Sequence, residues 1–287
     1  MSLLEVQDLS MRFGGVAALH QVGFVVEEGT ITALIGPNGA GKTTVFNCVT
    51  GFYRPHQGSI RLHRPEGALE LTELLGGPFR GRDFASPGAF FRRLKYKIAG
   101  GSHLAARAGV ARTFQNIRLF RGMTVMENLL AAQYNRLNRH LLSGVLGTPG
   151  FARAEREGIR RASAWLEFFA LLEDANRLAG ELPYGKQRRL EMARAMCISP
   201  RLLCLDEPAA GLNPQETAEL AGWIRRLRQD HGVTLLLIEH DMGLVMEISD
   251  HVVVLDHGEV IAAGTPAQVR RDPKVLTAYL GLDEPSP

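Results

Sequence analysis

Residues 36–43 read Gly-Pro-Asn-Gly-Ala-Gly-Lys-Thr and fit the phosphate-loop pattern G-x-x-x-x-G-K-[ST] at every specified position. The chemistry of such a segment is the holding of a nucleoside triphosphate. Gly36, Gly39 and Gly41 let the backbone take conformations closed to other residues and approach a ligand closely. The N–H groups of the loop, in which Pro37, Asn38 and Ala40 fill the variable positions, then point inward, and the following helix adds its positive end. Lys42 would set a point charge against the β and γ phosphates, and the Thr43 hydroxyl would ligate the magnesium ion that neutralises them. Thr44 is a further phosphate donor. A glycine-rich turn that merely caps a helix would not require Lys-Thr after its last glycine.

A second constellation lies at residues 202–208, Leu-Leu-Cys-Leu-Asp-Glu-Pro, an apolar run ending in two carboxylates. In a doubly wound sheet this puts both acids at the carboxyl edge, beside the phosphate loop. Strand alternation points them in different directions. Asp206 is then the candidate partner of magnesium in its outer coordination sphere, and Glu207 the candidate base that polarises the attacking water. The competing reading is an exposed acidic strand end.

The elements that must position these groups follow from periodicity. The apolar residues 30–35 predict a buried parallel strand entering the loop, and residues 45–49 a helix leaving it. Residues 3–12, 22–27 and 59–63 read as strands of a small β-rich layer. Residues 64–103, rich in glycine, proline, arginine and aromatics, read as an insertion or long loop. A helical stretch follows over about 121–180. Met126, Leu129, Leu130 and Gln133 open one of its helices, and Ile159, Ala162, Leu166 and Phe169 mark one face of another. Residues 202–205 and 233–238 are strands flanking a helix over 214–229, the βαβ arrangement of a parallel sheet. A hairpin at 252–263 and a short helix at 273–280 complete the pattern. The fold class is α/β: a parallel-sheet core, an antiparallel β layer and an inserted α-helical subdomain, all in one domain over 1–287. Its parts divide as 1–63, 64–103, 121–180 and 181–287.

With 287 residues, 45% apolar and 22% charged, the chain has the balance of an ordered globular protein. No apolar stretch reaches the ~18 residues of a membrane span. The first residues lack a basic and then apolar leader, which predicts cytosolic residence. Cys48, Cys197 and Cys204 are far apart in apolar contexts, which predicts buried reduced thiols rather than a disulfide or zinc site. A net charge of +3 gives no argument for nucleic acid.

The phosphate loop, Gln115 in Arg-Thr-Phe-Gln, the Asp206-Glu207-Pro208 strand end and His240 in Ile-Glu-His-Asp-Met occur in the order of an ABC-transporter ATPase subunit, which the chain resembles over nearly its whole length. The resemblance implies ATP and Mg²⁺ as ligands. It makes Gln115 the group that couples γ-phosphate and magnesium to the helical subdomain, with a plain surface glutamine as the rival. It makes His240 a γ-phosphate partner that orients the water and Glu207, with a satisfied strand-end histidine as the rival. Phe13 in Met-Arg-Phe-Gly-Gly would stack on adenine, unless it is a core phenylalanine. Residues 182–189, Leu-Pro-Tyr-Gly-Lys-Gln-Arg-Arg, occupy the place of the family's signature segment and open a helix with an apolar face at Leu190, Ala193 and Met196. That N-terminus would meet the γ-phosphate held by a second subunit, implying a head-to-tail dimer with two composite sites.

Two departures stand out. Where the family has the serine of Leu-Ser-Gly-Gly-Gln this chain has Pro183, which lacks a hydroxyl and an N–H; Gly185 becomes the better candidate ligand in trans. Asn213 stands where the family often has Asp, which alters the charge facing the partner. Asymmetric pairing with a paralogue is a reading equal to a homodimer.

The segments 51–55, 112–115, 118–120, 209–214 and 278–281 are similar to ATP-binding subunits of branched-chain amino acid importers. That similarity implies two permease subunits, an indirect periplasmic binding protein, a place on the cytoplasmic face of the inner membrane, and residues 118–127 as the permease-docking surface. Importers of urea or related amides share much of it; lipid or lipopolysaccharide exporters and non-transport ABC ATPases are the other readings. Within the insertion, Phe90, Phe91, Leu94 and Ile98 share a helical face ringed by Arg92, Arg93, Lys95 and Lys97, which reads first as a solvated basic helix and second as a contact for anionic lipid or a permease loop.

Overall fold

The computed structural model of the chain describes residues 1–76, 88, 101–134 and 148–280. It opens with two long antiparallel strands, β1 (Ser2–Phe13) and β2 (Val16–Glu27), then enters β3 (Ile31–Ile35), which leads through the phosphate loop into α1 (Lys42–Val49). The hairpin β4 (Gln57–Arg64) and β5 (Gly67–Glu70) and the short α2 (Leu71–Leu74) follow. Next come α3 (Ser102–Ala108), β6 (Val110–Arg112), and the helices α4 (Val125–Ala132), α5 (Pro149–Phe168) and α6 (Tyr184–Met196). Strand β7 (Leu202–Asp206), α7 (Pro214–His231) and β8 (Thr234–Ile238) form the βαβ unit. The chain then passes through α8 (Met242–Ile248), β9 (His251–Asp256), β10 (Glu259–Gly264), α9 (Pro266–Val269) and α10 (Pro273–Leu280).

Two sheets result. The first is antiparallel in the order β2-β1-β4-β5, and the second runs β10-β9-β3-β8-β7-β6, parallel except for β10. The strands β3, β7 and β8 are buried at every residue, which is why each reads as an apolar run with a single polar residue, Thr32, Asp206 and Thr234 respectively. Alternation divides them between two cores. Ile31, Ala33, Ile35, Leu203, Leu205, Leu235 and Leu237 face the helices α4 to α8. Leu34, Leu202, Cys204, Leu236 and Ile238 face α1 and the antiparallel sheet. Helix α1 is therefore held between the two sheets through Val45, Phe46 and Val49, all fully buried, and the loop that starts it is anchored on both sides.

The helical layer is stitched by polar groups as well as packing. Thr124 and Glu127 close a capping box on α4, a device worth about 1 kcal/mol. Buried Gln133 donates to the Gly158 carbonyl at 3.0 Å, joining α4 to α5. The inward face of α5 runs through Gly158, Ala162 and Leu166. Ile159, expected on that stripe, is 41% exposed; a position one step round a helix turns by about 100°.

The segment 64–103, expected as an insertion or long loop, carries regular elements at both ends. Residues 64–70 close a hairpin in which Arg64 pairs with Gly67, Gly67 having φ +117, and residues from 102 onward begin α3. Glycines that resemble loop composition are here the turn that a two-strand return requires. The basic helix expected around Phe90, Phe91, Leu94 and Ile98 lies outside the described residues, as does Gly281. All three cysteines are free and buried, and burial pushes each thiol up to about 12. Among the described residues no helix is long and apolar enough to cross a membrane.

Candidate functional site

The parallel strands β6, β7, β8 and β3 lie side by side in that order. Their carboxyl ends therefore present, in a row, Gln115, Asp206 with Glu207, His240, and the phosphate loop, in the crevice where open α/β sheets bind ligands. Between β7 and the loop strand β3 lies β8, whose carboxyl end carries His240.

The loop fits a polyphosphate. Gly36, Gly39 and Gly41 have φ of +147°, +83° and +99°. A side chain at Gly36 would run into the Leu255 carbonyl, whereas at Gly39 there is open space: the first glycine lets the loop lie against β9, the second lets it turn where a ligand has room. The N-cap of α1, Gly41, supplies no side-chain cap, and the first turn contains no acidic residue. The first-turn N–H groups, which lack intrahelical partners, and the positive helix end thus meet no capping side chain or acid from the helix's own first turn. Lys42 is 6% exposed and donates to the carbonyls of Gly36 at 2.7 Å and Pro37 at 2.8 Å. Burial lowers its pKa, opposed in part by the charge of Glu207. Thr43 is exposed and Thr44 half-buried, with Asn38 open beside them.

Glu207 is the centre of the acidic edge. Its Oε2 accepts from Gln115 Nε2 at 2.6 Å and its Oε1 lies 2.7 Å from His240 Nε2. A carboxylate only accepts, so His240 carries its proton on Nε2 in this contact. The backbone of Glu207 has φ +45°, a left-handed conformation that costs a non-glycine residue of order 1–3 kcal/mol and concentrates at functional sites. It is fixed there by its N–H to the Ile238 carbonyl at 2.9 Å and by Ala210 N–H donating to its carbonyl at 3.1 Å. Gln115, Glu207 and His240, distant in sequence, are brought into one contact group with Lys42 close enough to feel the carboxylate.

Asp206 points the other way and is 5% exposed. Its Oδ2 accepts from Arg112 Nη2 at 2.5 Å. Arg112 also donates to Asn47 Oδ1 at 2.6 Å and Thr50 Oγ1 at 3.2 Å near the end of α1, and its guanidinium lies 5.0 Å from the ring centroid of Phe114. It thereby joins the phosphate-loop helix, the acidic strand and the glutamine segment. Sequence reasoning gave Arg112 no role; its only signal was a basic residue ending a short apolar edge strand. Glu239 was likewise missed. It is 3% exposed, accepts from Ala209 N–H at 2.7 Å and His240 N–H at 3.0 Å, and its pKa is raised by burial. It ties the segment after Glu207 to the strand that carries His240.

The remaining predicted residues lie elsewhere. Phe13 ends β1, is 45% exposed, and meets Tyr53 edge-on at 5.4 Å; it is not a core phenylalanine. Pro183 is the N-cap of α6 and supplies no side-chain cap. Gly185 lies beside α7, where an added Cβ would sit 2.8 Å from Glu216 Oε1. Asn213 caps α7, accepting from Glu216 N–H at 2.9 Å while Glu216 accepts from Asn213 N–H at 3.0 Å. Asn serves this cap as well as Asp. Leu190, Ala193 and Met196 are buried as the periodicity of α6 requires.

A phosphate loop on the central strand, with glutamine, carboxylate and histidine lined up beside it, defines a P-loop nucleotide-binding ATPase. A family model described as "ABC transporter" matches residues 19–210, and one described as "Branched-chain amino acid ATP-binding cassette transporter" matches residues 259–284. The chain is 52% identical to the high-affinity branched-chain amino acid transport ATP-binding protein BraF of Pseudomonas aeruginosa, over 97% of this chain and 98% of that protein. It is 51% identical to LivG of Escherichia coli, which bears the same description, with the same coverage. A crystal structure of the ADP conformation of an ATP-binding cassette of an ABC transporter superposes with a TM-score of 0.76, at 29% identity, covering 98% of this chain and 99% of that one. The chain belongs to the ATP-binding proteins of ABC transporters, in the branched-chain amino acid group that includes BraF and LivG.

Proposed function

We propose that this chain is the ATP-hydrolysing subunit that energises uptake of branched-chain amino acids, at the cytoplasmic face of the inner membrane. It would work with a second ATP-binding subunit and two permease subunits, fed indirectly by a periplasmic binding protein. The observation that carries the reading is Glu207, strained and held between Gln115 and His240 on the edge that bears the phosphate loop. In this reading Glu207 orients and deprotonates the attacking water, while Gln115 and His240 fix its two oxygens. Lys42 and the loop N–H groups hold the phosphates, with Thr44 adding a hydroxyl. Magnesium would neutralise phosphate charge; Thr43 and Gln115 are the groups that would hold it, with Asp206, bonded to Arg112, in its outer coordination sphere. Phe13, open at the end of β1, would stack on adenine. Gly185 would complete the site of the second subunit.

The permease-docking surface is proposed at residues 118–127. Phe120 and Met123 are 52% and 41% exposed there, and a cleft of about 400 Å³ lined by Phe52, Phe114, Phe120 and Arg194 adjoins them. The match at residues 259–284 favours the branched-chain group over a urea or lipid system. The test is labelled-leucine uptake in a strain deleted for this gene and carrying either the wild type or E207Q. Restoration by wild type alone is expected; undiminished uptake in the deletion strain would refute the substrate.

A further inference from the structure

The face that meets a second subunit and the catalytic edge of the same chain are joined by a closed ring of hydrogen bonds. Gln115 Nε2 donates to Glu207 Oε2 at 2.6 Å. The Glu207 carbonyl accepts from Ala210 N–H at 3.1 Å. The Ala210 carbonyl accepts from the Tyr184 hydroxyl at 3.2 Å, which in turn accepts from Arg188 Nη2 at 3.2 Å. The same Nη2 donates to the Gln115 carbonyl at 2.9 Å, and the ring is complete.

Arg188 is fully buried, an unusual place for an arginine. Beyond the ring its Nη1 donates to the Phe114 carbonyl at 2.7 Å and to Glu191 Oε2 at 3.0 Å. Glu191, 2% exposed, accepts in turn from the N–H groups of Phe114 at 3.3 Å and Arg118 at 3.2 Å. The glutamine segment is thus gripped at two carbonyls and two N–H groups by one buried ion pair on α6. Tyr184 lies within the signature segment, next to Gly185, and its ring packs on Gly211: an added Cβ there would meet Tyr184 Cε1 at 3.3 Å. Both terminal nitrogens of Arg188 are thus engaged while its buried Nε finds no partner, and a buried network of this kind has discrete arrangements rather than a continuum.

We propose that Tyr184 and Arg188 are positioning residues that couple the two nucleotide-facing surfaces of this subunit. A change in the Gln115–Glu207 contact moves Gly185 on the opposing face, and closure against Gly185 sets the Gln115–Glu207 contact. The proposal rests on the ATPase reading given above. It also assigns a use to a tyrosine in a segment where the family's pattern has glycine: the ring and hydroxyl brace the segment that lacks the serine at Pro183.

The experiment uses the assembled transporter, this chain with its partner ATPase and permeases in lipid vesicles, and compares wild type, Y184F, R188K, the double variant and E207Q. Y184F keeps the ring on Gly211 and removes one hydroxyl, so the fold is retained; its thermal midpoint checks this. Expected for Y184F is a kcat about tenfold lower with KM for ATP within about twofold, and a Hill coefficient for ATP falling toward one. R188K should do the same, and the double variant should be no worse than the more affected single, because both break one ring. Unchanged kcat and Hill coefficient in Y184F, with E207Q inactive, would overturn the coupling and leave the ATPase reading standing. Full turnover by E207Q would remove Glu207 as the base and, since the ring passes through its carboxylate, overturn the proposal with it, while the ATPase reading itself would fall only if the wild-type transporter showed no ATP turnover.

Discussion

The two surfaces proposed to close on ATP are built on opposite plans. On the phosphate-loop edge the key positions are filled by residue types whose own atoms or backbone freedom are needed, from Gly36 with φ +147° to Glu207 with φ +45°. On the signature face the individual groups are reduced: Pro183 caps α6 without a side-chain hydrogen bond, and Gly185 has only its backbone to offer. What that face has instead is bracing. Gln187 Nε2 donates to the Leu182 carbonyl at 2.7 Å and Lys186 reaches Asp174 at 2.6 Å, besides the contacts of Tyr184 and Arg188. The difference teaches that a loop folded around a ligand fixes its residues, whereas a bare helix N-terminus fixes only its frame. Side chains can then vary so long as the frame is held.

The largest expected effect breaks the first plan at its centre. E207Q keeps the shape and removes the base, so phosphate release should fall about 10³-fold while nucleotide binding, followed by a fluorescent ATP analogue, is retained. Wild-type turnover in E207Q would remove the base assignment. G36A comes next: the methyl would collide with the Leu255 carbonyl and the backbone angle is closed to alanine, so a loss of about 3 kcal/mol in urea unfolding is expected along with loss of nucleotide binding. G185A sharpens the contrast. There the collision is with the flexible end of Glu216, so stability should fall by only about 1 kcal/mol while turnover of the assembled transporter falls several-fold. A fall in stability matching G36A would mean that the two glycines do the same job.

P183S is expected to act in the opposite sense. A serine N-cap can accept an N–H at the start of α6, adding about 1 kcal/mol to stability and raising turnover in the assembled complex; unchanged values for both would show that the frame alone suffices. The smallest effect is with pH. Asp174 is held below the ordinary carboxylate range first by its hydrogen bond from Lys186, burial opposing and Arg177 assisting. Its folded pKa lies below the unfolded value of about 3.9, so its contribution is complete above that value and drains as pH falls through the folded one. D174N should flatten the acid side of a stability-against-pH curve, and identical curves would remove this brace from the account.

How much of this was legible in the sequence depended on distance along the chain. The strands β3, β7 and β8 declare themselves because a strand buried on both faces is apolar at nearly every position, and the phosphate loop because its pattern is local. The pairing of Arg112 with Asp206 is not local: the two are 94 residues apart, and nothing beside Arg112 signals a buried partner. Arg188 was hidden more deeply, since an arginine three residues after a glycine on an amphipathic helix reads as solvent-facing. The carbonyls of Phe114 and Gln115, delivered by another element, together with the Glu191 carboxylate on its own helix, make its burial tolerable. Ile159 failed for the reverse reason: periodicity gives a stripe, and its edge is settled by what packs there. Tertiary hydrogen bonds, unlike apolar faces, leave no period.

The burial of Cys48, Cys197 and Cys204, with thiols raised to about 12, has a practical consequence. At neutral pH their thiolate fraction is about 10⁻⁵, so alkylating reagents pass them by. A single cysteine introduced at an exposed position such as Asn213 would then be the fast-labelling thiol of the native chain, and the approach of two such faces could be followed by dye pairs or by crosslinking without first removing the natural cysteines.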